Sequence, residues 1–257
     1  MASDTNEIAN KSYEINFNMK PKGDVCKIKS SQIPEFDLLC AGFPCQPFSL
    51  IGQKGGLNDK RGQLIFEIFR ILKEKQPKAF ILENVKGLVN MANGTILKMI
   101  LCNLDYIGYD VSYKVLEAKD YGTPQLRKRI FIVGTRKDLN IKFEFPKPVP
   151  LKYTFEEIMG GKTERKYSFT IRIGGRRSGI KSKYNWDCYR VDDEPRFITP
   201  EECLMLQGFD NKHILCGNQS QKFAQIGNSV PVTVVNLIGK KLVDLGTFNS
   251  IESTPLF

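Results

Sequence analysis

Two short apolar runs rich in strand formers stand out along the chain, FDLLCAG at residues 36–42 and AFILEN at 79–84, each bounded by turn or polar residues. Between them GQLIFEIFRILKEK places Leu64, Ile65, Ile68, Phe69, Ile71 and Leu72 at helical spacing, with charges on the opposite side. That is a strand, helix, strand unit. Neither apolar run alternates with polar residues, so both strands read as buried on two faces, the pattern of a mostly parallel α/β sheet with helices on both faces. In such sheets ligands sit beyond the carboxyl ends of the strands. PCQPFS follows the first strand and Glu83-Asn84 closes the second.

A further helix is expected around residues 94–104, then strands near 111–117 and over RIFIVGTR at 129–136. The texture then changes. FEFPKPVPLKY, with three prolines in eleven residues, reads as a boundary. From there to about residue 198 the chain is basic, glycine-punctuated and weakly periodic; helices over about 200–207 and 229–245 close it. The expected organisation is a first domain over 1–145, a small domain over 146–225 and a closing helix over 226–257 that returns to the first.

The 257 residues, 41% hydrophobic, are enough to bury a substantial core, and the net charge of +10 favours a polyanionic partner such as nucleic acid. Seven cysteines without a C-x-x-C pair indicate neither a disulfide framework nor a thiolate zinc site, and a reducing compartment is the simpler reading. One histidine, His213, leaves little for a Ser-His-Asp triad or a multi-histidine metal site, and reads as a surface or loop side chain. The start MASDTNEIANK has no apolar core segment, and no stretch approaches the roughly 18 apolar residues of a membrane span. The expectation is a soluble, intracellular protein without a bound metal.

Cys45 sits on a loop pinned by Pro44 and Pro47, directly after the first strand, where a thiol can act as a nucleophile. Cys40, inside that strand, reads as inert packing. Glu83 ends the second strand at the same sheet edge, where burial can raise a carboxyl pKa enough for general-acid work. Gln125, Arg127 and Arg129 fall at alternate positions leading into a strand and so share a face, which suits binding an anion or orienting a carboxylate. The lesser alternative for the two arginines is ordinary surface charge.

Taken together, these segments resemble the cytosine-C5 DNA methyltransferases. FPCQPFS looks like the family's catalytic PCQ loop, ENV its glutamate motif and QLRKR its Q-x-R-x-R motif; RFITPEECLMLQGFD and QIGNSVP resemble the two segments that follow target recognition. The resemblance implies a Rossmann-like sheet dependent on S-adenosylmethionine, with a small target recognition domain, acting on double-stranded DNA. Cys45 would add to C6 of cytosine, Glu83 would bond N3 and the exocyclic amine, and Arg129 would hold the base carbonyl and Glu83, with Arg127 alongside. The base would have to leave the stack, since neither of its faces is accessible within the duplex. The loop from Ser49 to Arg61, with three glycines, can serve as a lid or be an ordinary surface loop.

For the cofactor the resemblance implies Asp4 at the ribose hydroxyls, Asp24 at the adenine amine, Pro44 and Leu64 along its pocket, and Asn228 and Ser229 near the methionine end. Gln46 and Ser49, with Arg172, Arg176, Arg177, Lys181 and Lys183, would touch DNA: arginines can read guanine edges, and other basic groups touch only phosphate. Trp186 reads as core of the small domain.

The family opens with a strand and an F-x-G-x-G loop before the position of Asp4, where this sequence has three residues. The expectations that follow are a reading frame shortened at its start, a split enzyme whose second chain supplies the segment, or a catalytically inactive DNA-binding remnant. The RNA-acting branch is disfavoured, because its C-F-T signature is absent between Arg129 and Thr199.

Overall fold

The computed structural model describes residues 1–44, 64–174 and 177–249. Cys45, Gln46, Ser49 and Arg176, and the expected lid over Ser49–Arg61, lie outside them.

Contacts divide the chain into two compact units that differ from the linear order expected. One comprises Met1–Ile33, Val115–Arg129 and Lys147–Asn236, the other Pro34–Lys114, Ile130–Pro146 and Leu237–Phe257. A four-stranded sheet carries β1 (Leu38–Gly42), β2 (Ala79–Val85), β3 (Tyr109–Glu117) and β4 (Lys128–Arg136), in the order β1-β2-β4-β3. β1 and β2 are parallel, in a register that sets Leu38 against Ala79 and Gly42 against Glu83. β4 runs against both neighbours. The Arg136 amide, at its end, donates to Lys78 just before β2, while bonds 118 to 127 and 137 to 108 give the constant sum of an antiparallel pair. Three strands therefore share a direction, as expected, and one opposes them.

Consecutive residues Ala79–Leu82 and Ile130–Thr135 are buried, so the central strands are covered on both faces. β1 is not. At the end of the sheet order it exposes Cys40 and Gly42 on one face, which corrects the reading of Cys40 as packing. Enough protein still surrounds the Cys40 sulfur for burial to push its thiol pKa up, so it remains a poor nucleophile. In the same unit α2 (Leu64–Lys75) buries Ile65, Ile68, Phe69, Ile71 and Leu72, five of the six expected positions, and packs on α3 (Thr95–Ile107).

The other unit begins with α1 (Glu7–Phe17), capped by Asn6, whose side chain accepts the Ile8 and Ala9 amides at 3.0 Å. Its apolar residues are sparse, so the sequence did not announce it. The Ser12 hydroxyl ties it to α6 (Gln219–Asn228) through Gln225 at 2.7 Å. Short α4 (Phe155–Met159) precedes a hairpin of β5 (Cys188–Val191) and β6 (Glu194–Phe197). α5 (Pro200–Gln207) starts on a Thr199–Glu202 capping box with Pro200 in the first turn, and α7 (Val232–Asp244) ends the described helices. The core of this unit gathers Phe155, Ile158, Ile171, Trp186, Tyr189, Leu206, Phe223 and Ile226. Trp186 lies edge-on to Phe223, as its core reading required.

Candidate active site

The parallel register brings two strand ends together. Gly42 pairs with Glu83, and a side chain at position 42 would stand 3.6 Å from a Glu83 carboxylate oxygen. Asn84, 3% exposed, turns back and donates its amide to the Phe43 carbonyl at 2.9 Å, while its own oxygen accepts the Val85 amide at 2.8 Å. The chain leaving β1 is thus fastened to the strand that carries Glu83. Phe43 is buried, Pro44 is half-buried, and Cys45 is the next residue in sequence. Leu64, half-buried, opens α2 in the same unit.

In the other unit the Q-x-R-x-R segment divides its labour. Gln125 is fully buried and donates to Leu206 O at 3.0 Å and Gln207 Oε1 at 2.8 Å. Arg127, 1% exposed, sends its guanidinium to Ile171 O at 3.1 Å, Gly227 O at 3.0 Å and Ser229 O at 2.7 Å. It braces three carbonyls on two backbone segments with charge-assisted bonds, and it is not a surface charge. Arg129, half-buried, donates to Lys128 O at 2.9 Å. Sequence reasoning missed Gln207, fully buried, which donates to Ser229 O at 2.7 Å and Ser229 Oγ at 3.0 Å. Its signal was present: QGF, Q-x-R and GNS together supply two amides, a guanidinium and a hydroxyl, which must find one another if buried.

The expected cofactor residues Asp4, Asp24, Asn228 and Ser229 fall in this unit. Asp4 accepts the Asn6 amide at 2.7 Å, and Asp24 caps a 3-10 turn by accepting the Cys26 amide at 3.0 Å. Both are in use as turn caps; a carboxylate has acceptor positions beyond one such bond, which is the chemistry ribose hydroxyls and an adenine amine require. Asn228 is exposed, and the Ser229 hydroxyl donates to Ile226 O at 2.8 Å. The donor set fits an adenosine-bearing cofactor.

Of the expected DNA contacts, Arg172, Arg177, Lys181 and Lys183 are all exposed in this unit. His213 lies in a loop, as read, but is half-buried: its ring is tilted against Phe209 with centroids 4.5 Å apart, lies 6.3 Å from Phe17, and burial pushes its pKa down. Among the described residues no cluster of His, Cys, Asp or Glu is arranged to hold a metal, and no helix is long and apolar enough to cross a membrane.

Comparison with known proteins identifies the family. The family described as C-5 cytosine-specific DNA methylase matches residues 1–189 and 165–244. The type II methyltransferase M.DsaV of Dactylococcopsis salina is 37% identical over 94% of this chain and 78% of its own length. M.BsuFI of Bacillus subtilis is 50% identical over 92% of this chain and 65% of its own. Among solved structures, the Entamoeba histolytica methyltransferase EhMeth superposes with a TM-score of 0.77 at 20% identity, covering 95% of this chain and 89% of that one, which supports the α/β methyltransferase fold. The chain belongs to the C-5 cytosine-specific DNA methylase family and is an enzyme of the DNA cytosine-5 methyltransferase type.

Proposed function

We propose that this chain methylates C5 of a cytosine flipped out of a specific duplex sequence, through a covalent adduct at Cys45, with S-adenosylmethionine as methyl donor. The observation that carries the reading is the Gly42–Glu83 register with the Asn84 bond to Phe43, which ties the strand exit preceding Cys45 to the strand bearing Glu83. A thiol and a carboxyl on adjacent strand ends are what a nucleophile and an acid for one small ring require.

C5 of cytosine is too weak a nucleophile to take a methyl group unaided. The Cys45 thiolate adds to C6, and Glu83 stabilises the electron-rich ring by bonding N3 and the exocyclic amine. Arg129 contacts the base carbonyl; Arg127 acts one step back, bracing Ser229 and Ile171. Asp4, Asp24, Pro44, Leu64, Asn228 and Ser229 would hold S-adenosylmethionine, whose sulfonium methyl carbon would be transferred to C5 with the thioether as leaving group. Loss of the C5 proton and elimination of the thiol then complete 5-methylcytosine. Residues 146–225 serve target recognition, with Gln46, Ser49 and the basic side chains from Arg172 to Lys183 against DNA.

Transfer of a labelled methyl group to DNA tests this reading. Incorporation into duplex DNA and not into RNA is expected, from the chain alone or on addition of an N-terminal segment carrying the F-x-G-x-G loop. Binding of DNA without incorporation under either condition would favour a catalytically inactive remnant.

A further inference from the structure

The basic segment is closed at its base by two buried side chains that take no part in the chemistry above. Trp186, 1% exposed, donates its indole N–H to the Gly174 carbonyl at 2.8 Å. Asp187, fully buried, accepts the Arg177 amide at 3.0 Å. Both residues are held from behind: the Tyr189 hydroxyl donates to Trp186 O at 2.7 Å and accepts the Phe169 amide at 2.9 Å, and the Ile198 amide donates to Asp187 O at 2.8 Å.

Arg177 has φ 57°, a left-handed conformation that is unfavourable for a residue with a side chain. It is adopted where the Asp187 carboxylate takes the amide. Beyond it the chain folds into tight turns, with Ser182 N bonded to Gly179 O at 3.1 Å and Asn185 N to Ser182 O at 3.0 Å. Asn185 then locks the far end by bonding both backbone groups of Cys188, at 2.8 and 2.9 Å. What this closed segment offers outward is cationic and aromatic: Arg177, Lys181, Lys183, and Tyr184 at 60% exposure with the Lys183 ammonium 5.0 Å from its ring centre. Burying a carboxylate to accept a backbone amide is expensive for a mere connection, but it suits a surface that must arrive at its partner already shaped.

We propose that Trp186 and Asp187 are positioning residues for sequence recognition: they fix the base of the Arg177–Asn185 segment, so its side chains meet the duplex in a single arrangement. This rests on the DNA methyltransferase reading. With the clamp loosened, the cost of ordering these side chains falls on binding, and the wrong base pair is rejected less sharply.

The full chain and its Trp186→Phe, Asp187→Ala and Asp187→Asn variants are each used to select from a randomised duplex library. Affinities are then measured for the enriched duplex and for a duplex changed at one base pair. Trp186→Phe keeps a ring in the core while deleting the indole donor. It and Asp187→Ala are expected to bind the enriched duplex about tenfold more weakly and to lose most of the discrimination, whereas Asp187→Asn, which keeps an acceptor, stays near the parent. Phe155→Leu thins the same core away from the clamp, and is expected to lower the melting temperature while leaving discrimination intact. Unchanged discrimination in Trp186→Phe and Asp187→Ala, or an equal loss in Phe155→Leu, overturns the proposal. A parent chain that enriches no sequence sinks the DNA reading and the proposal with it.

Discussion

Arg127 shows how much one side chain can hold. Its guanidinium reaches the carbonyl of Ile171 and, far along the sequence, those of Gly227 and Ser229 at the end of α6. Arg127→Met keeps much of the length but strands those acceptors, and a destabilisation of roughly 3 kcal/mol is expected, read as a lower urea midpoint with unchanged slope. The sequence placed Arg127 in the right motif. It did not reveal that the arginine is buried, because an alternating Q-x-R-x-R pattern says which side chains share a face and not what covers that face. His213 lies in a loop, as read, but its partial burial was hidden for a related reason: its aromatic neighbours Phe209 and Phe17 are four and 196 residues away, and only the nearer one is visible locally. Burial favours its neutral form, so the unfolded chain binds the proton more readily. The stability this contributes is present above the ordinary histidine pKa and is lost as pH falls through the lowered folded value. The melting temperature should therefore drop on acidification from about pH 6.5, and His213→Gln should flatten that part of the profile.

At the scale of elements, the apolar runs were legible because β2 and β4 are buried on both faces and leave no polar alternation. The boundaries of α5 agreed with its expected range because Thr199, Pro200 and Gly208 mark both ends chemically. The β5–β6 hairpin was not legible. Its turn is Asp192-Asp193, both at positive φ, in place of the Asn-Gly or Asp-Gly pair that announces such turns. α6 was missed too, and its packing is tight: a side chain at Gly227 would come within 2.9 Å of the Arg172 carbonyl carbon and 3.1 Å of the Ile173 nitrogen. Gly227→Ala is expected to destabilise by about 1–3 kcal/mol and to weaken DNA binding, since the displaced backbone carries Arg172. Gly239 in α7 meets open space, so Gly239→Ala should stabilise by about 0.5–1 kcal/mol. Thermal melts of the two variants decide between crowding and helix propensity as the governing effect.

For the whole molecule, five motifs in family order identified the enzyme, while the division into units was hidden from a linear reading. Residues 1–33 and 115–129 cluster with 147–236 because α1 and the Q-x-R-x-R segment make their bonds there, through Ser12 to Gln225 and Arg127 to Gly227. Of the candidate site, the PCQ and ENV motifs nominate Cys45 and Glu83 from sequence, while the Asn84 tether and the Gln125–Gln207–Ser229 network appear only in three dimensions. The central claim is that the Cys45 sulfur attacks C6 of an extruded cytosine. Its most direct test is covalent trapping on duplex DNA containing 5-fluorocytosine, where fluorine blocks the elimination that would release the thiol. In the presence of S-adenosylmethionine the parent protein should yield a protein–DNA adduct that survives denaturation and maps to Cys45. Cys45→Ser should yield none, and an adduct in that variant, or one mapped to another residue, would contradict the account.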